Sequence, residues 1–312
     1  MMRWVLFAIL FFFILIVIIP VTKSSVLIIN ANFSNVYQSL NNPRNWVKWQ
    51  TDVKNHARDI TFKNDSANAL FEITGPAVKF TIKKSGLTGF DIVRKKVSGR
   101  GENEYNYTLI ADSAVLKTDV YVIQKTNLFG YVKSFLVDDK YKGTPVNDLK
   151  AYMEDPQLYY GYKIAEHVAR EKTLIIKRTT VLKNMVCKNN QAFLTSLYSI
   201  ALKNKLAVTD AMHLQYISSV GDSVTVMMGL PVNRKVSIKG DAENMGMPGS
   251  KELVGYFKGK YNDRKKLYRA MQLYIADHLI HTQTLPLEKF EHNKLPDNDD
   301  AIVDMQVVIP HL

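Results

Sequence analysis

Residues 250–292 read SKELVGYFKGKYNDRKKLYRAMQLYIADHLIHTQTLPLEKFEH, and the order of patterns in this stretch decides the fold of the second half of the chain. A strand is predicted at Ser250–Tyr261, followed by a helix at Asp263–Ile280 in which apolar side chains recur at helical spacing. Two further strands follow, at Leu285–His292 and Ala301–Ile309. The stretch therefore predicts a strand–helix–strand–strand unit whose helix covers a sheet.

The same order of elements occurs once before in the chain. A strand at Lys172–Val181 and a helix at Asn190–Lys205 are followed by strands at His213–Ser218 and Ser223–Pro231. The connecting segment Asn233–Gly249 is rich in Gly, Asn and Met and is predicted to be a loop. Because a repeated order of elements indicates an internal duplication, we expect two similar halves within one domain.

This duplicated pattern resembles the GyrI-like family, also called AraC-type effector-binding domains. The matching motifs are Gly229-Leu-Pro-Val232, Gly255-Tyr-Phe-Lys-Gly-Lys-Tyr261, Tyr268-x-x-Met271-x-x-Tyr274-Ile275, Pro286-Leu-Glu288-Lys-Phe290 and Val307-Val-Ile-Pro310. The resemblance covers residues 158–312 and implies a small-molecule pocket between the two halves. It also implies that Glu288, in the Pro-x-Glu-x-aromatic motif, meets cationic and often aromatic ligands.

The residues themselves give Glu288 a second argument for ligand binding. In an extended strand, Glu288 and Phe290 point to the same face. A carboxylate beside aromatic rings in a partly dry site attracts a cation, and each ring adds about 0.5–2 kcal/mol. Tyr216 and Tyr261 are candidate walls of such a site. The alternative is a solvated Glu288 neutralised by Lys289 or a neighbouring strand, with both tyrosines in the core.

Residues 26–157 follow a different order, in which strands dominate. A short β-branched strand at Ser25–Asn30 precedes two short helices. Strands separated by Gly, Asn, Asp and Ser turn signals then run from Asp59–Phe62 to Lys133–Leu136, and a last helix is predicted at Thr144–Glu154. The aromatic residues of these strands either line a cavity or fill a core.

This second order of elements resembles the START-like SRPBCC family of the polyketide cyclase type. The local match consists of Asn30-Ala31, Val36-Tyr37, Leu40 and Asn45-Trp46-Val47-Lys48-Trp49. The resemblance implies a helix-grip fold, a curved antiparallel sheet wrapped around a long C-terminal helix, with an apolar cavity for hydrophobic molecules. Trp46 and Trp49 are interpreted as packing anchors for the short helices.

The N-terminal segment, residues 1–25, is predicted to be a transmembrane anchor. Residues 4–21 read WVLFAILFFFILIVIIPV and carry no charge, and as a helix they would be about 27 Å long, close to the hydrocarbon thickness of a bilayer. A cleaved secretory signal is the alternative, but signal cores are shorter and end at small residues. Arg3 before the span favours a cytoplasmic N-terminus and folded regions outside the cytoplasmic membrane.

Composition narrows the classes of function. A formal net charge of +12 is compatible with nucleic acid or anionic lipid, but no recognition helix with a basic face is evident and no nucleic-acid partner is expected. The single cysteine, Cys187, excludes an internal disulfide and a Cys-cluster metal site. We assign no catalytic residue and no metal ligand, and we expect no cofactor.

Together these patterns predict an α+β protein of bacterial type, in which one transmembrane helix precedes a helix-grip domain (26–157) and a duplicated strand–helix–strand–strand domain (158–312). The leading hypothesis is a membrane-anchored, non-enzymatic receptor for small hydrophobic or cationic molecules, with Glu288, Phe290, Tyr216 and Tyr261 as ligand-binding residues. A GyrI-like hydrolase of reactive electrophiles that uses Glu288 to activate water is the second hypothesis. An envelope scaffold that binds no ligand is the third.

Overall fold

The computed structural model describes residues 20–98, 102–112, 116–128, 144–238, 240–282 and 284–311. The chain divides into two compact units between Asp155 and Pro156, two residues before the boundary expected from the sequence. Each unit is built on one antiparallel sheet accompanied by helices. The predicted α+β class, with two antiparallel sheets, is therefore confirmed.

The first unit has four helices and seven strands among its described residues. Its helices are α1 (Phe33–Asn41), α2 (Trp46–Trp49), α3 (Thr51–Lys54) and α4 (Pro145–Glu154). Its strands are β1 (Pro20–Ile29), β2 (Thr61–Asp65), β3 (Leu70–Thr74), β4 (Val78–Ser85), β5 (Gly89–Lys96), β6 (Glu102–Asp112) and β7 (Lys117–Asn127). The sheet order is β1-β7-β6-β5-β4-β3-β2. Strands β2 to β7 form a meander, and β7 also pairs with β1.

Aromatic side chains fill the core of the first unit where the short helices meet the sheet. The Trp46 ring lies 5.3 Å from the Phe80 ring and 4.5 Å from the Trp49 ring, and all three side chains are buried. Each indole N–H donates to a backbone carbonyl, from Trp46 to Leu40 at 3.0 Å and from Trp49 to Ser39 at 3.2 Å. Both tryptophans are packing anchors, because their rings are buried and their polar atoms are satisfied.

Several strand boundaries predicted from the sequence of the first unit were wrong. β1 begins at Pro20 rather than Ser25, because Pro20–Ile29 pairs along its whole length with β7. Asp59 belongs to a short 3-10 turn, and β2 begins at Thr61. The strand predicted at Lys133–Leu136 lies outside the described residues, and the START-like assignment of this unit stays a prediction.

Nearly all of the predicted transmembrane span, residues 4–19, also lies outside the described residues; its last two residues, Pro20 and Val21, belong to β1. Among the residues that the structure describes, no helix combines the length and the apolar character needed to cross a bilayer.

The second unit contains three helices and eight strands in its described part. The helices are α5 (Pro156–Tyr160), α6 (Val186–Lys203) and α7 (Arg264–Asp277). The strands are β8 (Ile164–Ala169), β9 (Lys172–Leu182), β10 (His213–Val220), β11 (Ser223–Val232), β12 (Ala242–Met247), β13 (Ser250–Lys260), β14 (Leu287–Phe290) and β15 (Ile302–His311). They form one sheet in the order β12-β9-β11-β10-β14-β15-β13-β8.

The predicted duplication is present in this sheet. The order β9-β11-β10 of the first half is mirrored by β14-β15-β13 of the second, so β10 and β14 meet in the middle. They pair antiparallel, with Leu214 opposite Glu288. The unit therefore has a pseudo-two-fold axis that passes between these two residues, and one helix of each half covers the same face of the sheet.

A glycine allows α7 to lie close to the sheet. A side chain at Gly255 would place its Cβ 2.6 Å from the Met271 sulfur and 2.8 Å from a methyl carbon of Leu267. Both helix residues are fully buried. Because any larger residue at position 255 would push α7 outward, this glycine sets the distance between the helix and the strands.

The sequence missed two strands of the second unit. β12 lies inside the predicted loop Asn233–Gly249 and pairs with β9, and β8 pairs with β13 at the other edge of the sheet. β12 contains Gly and Asn, which are depleted in strands, so its local propensity is weak. Hydrogen bonding to the long strand β9 stabilises β12 as a strand, although its own residues favour this conformation only weakly.

Candidate functional site

Glu288 lies at the centre of the second sheet, on the face that α7 covers. It is the second residue of β14, a four-residue strand held between β10 and β15. Strand alternation directs Glu288 and Phe290 toward the helices and Leu287 toward the opposite face. Only 1% of Glu288 is exposed, so this carboxylate requires partners within the protein.

Three side chains donate hydrogen bonds to the Glu288 carboxylate. Tyr261 donates its hydroxyl to Oε2 at 2.6 Å, and Tyr268 donates its hydroxyl to Oε1 at 2.9 Å. Arg264 donates Nε–H to Oε1 at 2.8 Å and forms a largely buried ion pair. Because a carboxylate has about four acceptor positions, most of its capacity is used inside the protein.

Arg264 is held on several sides. Its Nη1 donates to the backbone carbonyl of Tyr261 at 3.0 Å, and its Nη2 donates to the Tyr216 hydroxyl at 3.3 Å. The guanidinium carbon lies 3.6 Å from the centre of the Tyr261 ring, which is a cation–π contact. Arg264 is the first residue of α7, so the position of the helix and the position of this cation are set together.

The burial of these groups and the charges near them shift their pKa values. Burial, followed by the charge of Glu288, raises the pKa of Tyr216 to about 12 and that of Tyr261 well above its usual value. The same two causes raise the pKa of Tyr268. Burial is the largest single influence on Arg264 and acts to lower its pKa, but Glu288, Tyr261 and Tyr216 together outweigh it, so the pKa of Arg264 is raised. At neutral pH the site therefore holds one ion pair and three neutral phenols.

A cavity of about 500 Å³ opens beside this network. Tyr216, Tyr268 and Glu288 contribute to its wall together with Pro286, and the rest of the lining comes from one side of α7. Besides Tyr268, the α7 residues that line it are Arg264, Lys265, Arg269 and Gln272. The volume is in the range of small-molecule sites, and the wall combines aromatic rings with several cations.

The structure brings the four residues expected from the sequence together, but not in equivalent places. Glu288 and Tyr216 line the cavity. Tyr261 and Phe290 are fully buried behind them, with ring centres 6.0 Å apart. Tyr261 touches Glu288 directly, whereas Phe290 belongs to the hydrophobic core. Their role in ligand binding stays a prediction.

Arg264 is the residue that sequence reasoning missed. The sequence predicted that Glu288 would meet a cationic guest, and the position of that cation is taken by the guanidinium of Arg264. No spacing rule links the start of a helix to a strand 24 residues later. A signal was nevertheless present, since a buried carboxylate in a chain of +12 formal charge is expected to find a basic partner.

Cys187, near the start of α6, lies on the fringe of this network. Its sulfur is 3.9 Å from Oδ1 of Asp299, and burial, with the charge of Asp299, raises the pKa of the thiol to about 11. A thiol of this kind is protonated and weakly nucleophilic at neutral pH. Within the residues that the structure describes, no cluster of three or more His, Cys, Asp or Glu side chains is arranged to hold a metal ion.

Comparison with known proteins finds similarity at the level of solved structures alone. No family model matches the chain, and no curated protein matches it. A crystal structure of the EcmrR C-terminal domain is similar over 48% of this chain and 98% of that chain, at 16% identity and a TM-score of 0.38. The longer EcmrR chain, in a DNA complex, has the same TM-score at 17% identity, and 57% of its length is covered.

Two further structures are similar over the same share of this chain. A hydrolase from Listeria innocua is covered over 92% of its length, at 10% identity and a TM-score of 0.37. SAV2435 bound to tetraphenylphosphonium is covered over 93%, at 13% identity and a TM-score of 0.30. At these identities and TM-scores the similarities assign no function, so the proposals below rest on contacts within this chain.

Proposed function

We propose that the second unit binds a small aromatic molecule carrying a negative charge in the cavity beside Glu288. The observation that carries this proposal is the 2.8 Å contact between Arg264 Nε and Glu288 Oε1. With Glu288 neutralised from within, Arg264, Lys265 and Arg269 on the cavity wall leave a net positive charge. The rings of Tyr216 and Tyr268 offer the flat apolar surface that an aromatic ligand needs.

A cationic ligand is disfavoured by the energy of the existing pair. It would have to displace Arg264 from Glu288, and breaking a buried ion pair costs about 3–5 kcal/mol. An anion displaces nothing, because it approaches Lys265 and Arg269, which are exposed at the cavity wall. The difference corresponds to a factor of about 10² or more in affinity.

The same geometry favours binding over hydrolysis. To activate a water molecule, Glu288 needs a free lone pair directed at the substrate. Three donors already point at its two oxygens. Two of those donors, Tyr261 and Tyr268, have raised pKa values and hold their protons at neutral pH. These features support a receptor site in which the network holds the shape of the cavity.

Two probes of the same shape and opposite charge test the proposal. Naphthalene-2-sulfonate and (naphthalen-2-yl)trimethylammonium are titrated into the full chain by calorimetry. We expect the sulfonate to bind at least tenfold more tightly. Replacing both exposed cations in a Lys265→Gln, Arg269→Gln variant is expected to remove that preference. The control is a Lys251→Gln, Lys258→Gln variant on β13, which also removes two positive charges and is expected to keep the preference.

Arg264→Met gives the reverse test. It uncovers the Glu288 carboxylate while conserving much of the side-chain volume, so the trimethylammonium probe is expected to bind more tightly than in the parent chain. Tighter binding of the cation by the parent chain itself would contradict the proposal. So would an unchanged preference in the Lys265→Gln, Arg269→Gln variant.

We further propose that residues 4–19 anchor the protein in a bilayer, with both folded units outside the cytoplasm. The support is the uncharged apolar run in the sequence and the position of Arg3 before it. Alkaline carbonate washing of membranes is expected to leave the full chain in the pellet and to release a variant that lacks residues 1–19. External protease is expected to degrade the folded units in intact spheroplasts.

A further inference from the structure

A second cavity, of about 440 Å³, lies on the face of the second sheet opposite to α6 and α7. Its lining is mainly apolar and includes two sulfur-containing side chains of β12, Met245 and Met247, with Met227 of β11. None of its lining residues belongs to the cavity beside Glu288. The two spaces are separated by the sheet itself.

A glycine contributes to the floor of this cavity. Gly229 on β11 lies in register between His213 of β10 and Ile176 of β9. A Cβ at position 229 would lie 2.9 Å from Cδ2 of Leu174, closer than real side chains approach. Because Gly229 has no side chain, Leu174 can lie directly over the strand at this point, and Leu174, Gly229 and His213 all line the cavity.

Among the polar groups in the lining of this cavity, His213 is the most informative. Only 3% of this residue is exposed, and its Nε2 has no hydrogen-bond partner among the described residues. Burial, with the charges of Lys289 and Lys172, lowers the pKa of His213 to about 3, so the imidazole is neutral. Leaving a buried nitrogen unpaired is unfavourable, and a ligand that pairs with it removes that penalty.

The charges near His213 argue for an uncharged ligand. Lys172 lies 2.6 Å and Lys289 3.5 Å from Oδ2 of Asp210, and the charge of the buried Glu252 also acts on both lysines, so the four groups carry no net formal charge. No charge is left over to attract an ionic ligand, and the apolar lining disfavours any ion that would lose its hydration. Methionine side chains adapt to irregular shapes and make favourable contacts with aromatic rings.

We infer that this cavity is a second ligand site, which binds an uncharged, mainly apolar aromatic molecule whose hydroxyl group pairs with Nε2 of His213. The hydroxyl can donate to this nitrogen or accept from it, according to the imidazole tautomer. The volume accommodates a molecule of two to four fused rings. This inference does not depend on the ligand proposed for the opposite face of the sheet.

Methyl NMR of methionine gives a test that locates the ligand. The chain has 11 methionines, and ¹³C-methyl labelling gives each one signal. The full chain is titrated with 2-naphthol, and signals are assigned by single Met→Leu substitutions, which conserve volume. We expect saturable shifts of Met227, Met245 and Met247. Met271 and Met305, which are buried on the helix side, are expected to remain unchanged.

The hydroxyl requirement is tested with naphthalene, which has the same rings and no polar group. His213→Leu is expected to weaken 2-naphthol binding about tenfold and to leave naphthalene binding unchanged, because one buried hydrogen bond is lost. Met245→Trp at the half-buried edge strand is expected to abolish binding of both probes by filling the cavity. Val220→Trp, at an exposed position, is the matched control and is expected to bind both.

Two outcomes would overturn the inference. Shifts of Met271 or Met305 without shifts of Met227, Met245 and Met247 would place the probe on the wrong face of the sheet. If His213→Leu leaves the ratio of 2-naphthol to naphthalene affinity unchanged, the ligand hydroxyl does not bond to His213. If that variant fails to fold, Met245→Trp alone decides, because retained binding in that variant excludes the cavity.

Discussion

The two halves of the second unit share one topology but differ in chemistry at the pseudo-two-fold axis. Val186 begins α6, whereas Arg264 begins α7. Leu214 on β10 pairs directly with Glu288 on β14, and the two residues occupy equivalent positions. The first half therefore has an apolar pair where the second half has a buried ion pair. The fold tolerates either solution, because both leave no buried charge without a partner.

The difference is reversed on the opposite face of the sheet. There the first half contributes the polar residue His213, and the equivalent position of the second half holds Leu287. One polar side chain therefore comes from each half, and each points to a different face. Each of the two cavities contains one of these groups, Glu288 on the helix side and His213 on the other. Each face of the sheet therefore has one candidate site.

The largest effect on stability is expected when Glu288, one partner of the buried ion pair in the second half, is replaced by an apolar residue. Glu288→Leu leaves Arg264 without its carboxylate, with 16% of its side chain exposed, and should lower the free energy of unfolding by about 3–5 kcal/mol. Adding Arg264→Val copies the first half and should restore most of the loss. Thermal unfolding of the second unit, followed by near-UV circular dichroism, measures both changes.

A matched ion pair at the surface serves as the control for this comparison. Lys258 and Asp304 lie 3.4 Å apart with 77% and 55% of their side chains exposed. Replacing both is expected to change stability by less than about 0.5 kcal/mol. A double variant at positions 264 and 288 that is as unstable as Glu288→Leu alone would show that the two halves are not interchangeable at the axis.

The second effect on stability is expected when a charged residue replaces Leu214, the residue of the first half that is equivalent to Glu288. Leu214 is fully buried and its half has no arginine at the start of α6. Leu214→Glu should therefore destabilise the unit by at least about 2 kcal/mol at neutral pH. The buried carboxyl would have a raised pKa in the folded state, so stability should fall as pH rises from 5 to 8. Urea unfolding at both pH values measures the slope; an equal loss at each pH would argue against an ionisable buried group.

The third effect appears only at acidic pH and concerns His213 on the other face. Its pKa is about 3 in the folded protein, whereas an unfolded histidine titrates near 6.5. Between these values the unfolded chain binds a proton that the folded chain does not, so stability is lost as pH falls, by about 1.4 kcal/mol per unit. His213→Leu should remove this contribution to the slope. An unchanged acid slope, measured by unfolding at pH 4 to 7, would mean that the imidazole is not buried in the neutral form.

Local patterns predicted most of the second unit. Its two long helices, and the six strands that form the two halves, were located to within a few residues by periodicity and turn signals. The two edge strands were missed, because β12 and β8 owe their order to pairing with β9 and β13. In the first unit the pairing of β1 with β7 likewise extended the strand back to Pro20, which no local signal marked.

The candidate site was predicted in part. The motif pointed to Glu288, and strand alternation correctly placed Phe290 on the same face. Arg264 was not anticipated, because the contact joins the first turn of a helix to a strand through tertiary packing. His213 was not anticipated either, since a lone histidine in a strand says nothing about the glycine that lies beside it in the fold.

By itself the sequence determined the two kinds of folded region, the duplication and a buried-carboxylate candidate, because periodicity and turn chemistry act over neighbouring residues. Tertiary structure alone decided the electrostatic character of the site. Burial makes an unpaired charge too costly to keep, so the partner of Glu288 is chosen by which cation the folded chain brings within reach. In this chain that cation is Arg264, and its pairing with Glu288 is the reason that we propose an anionic ligand.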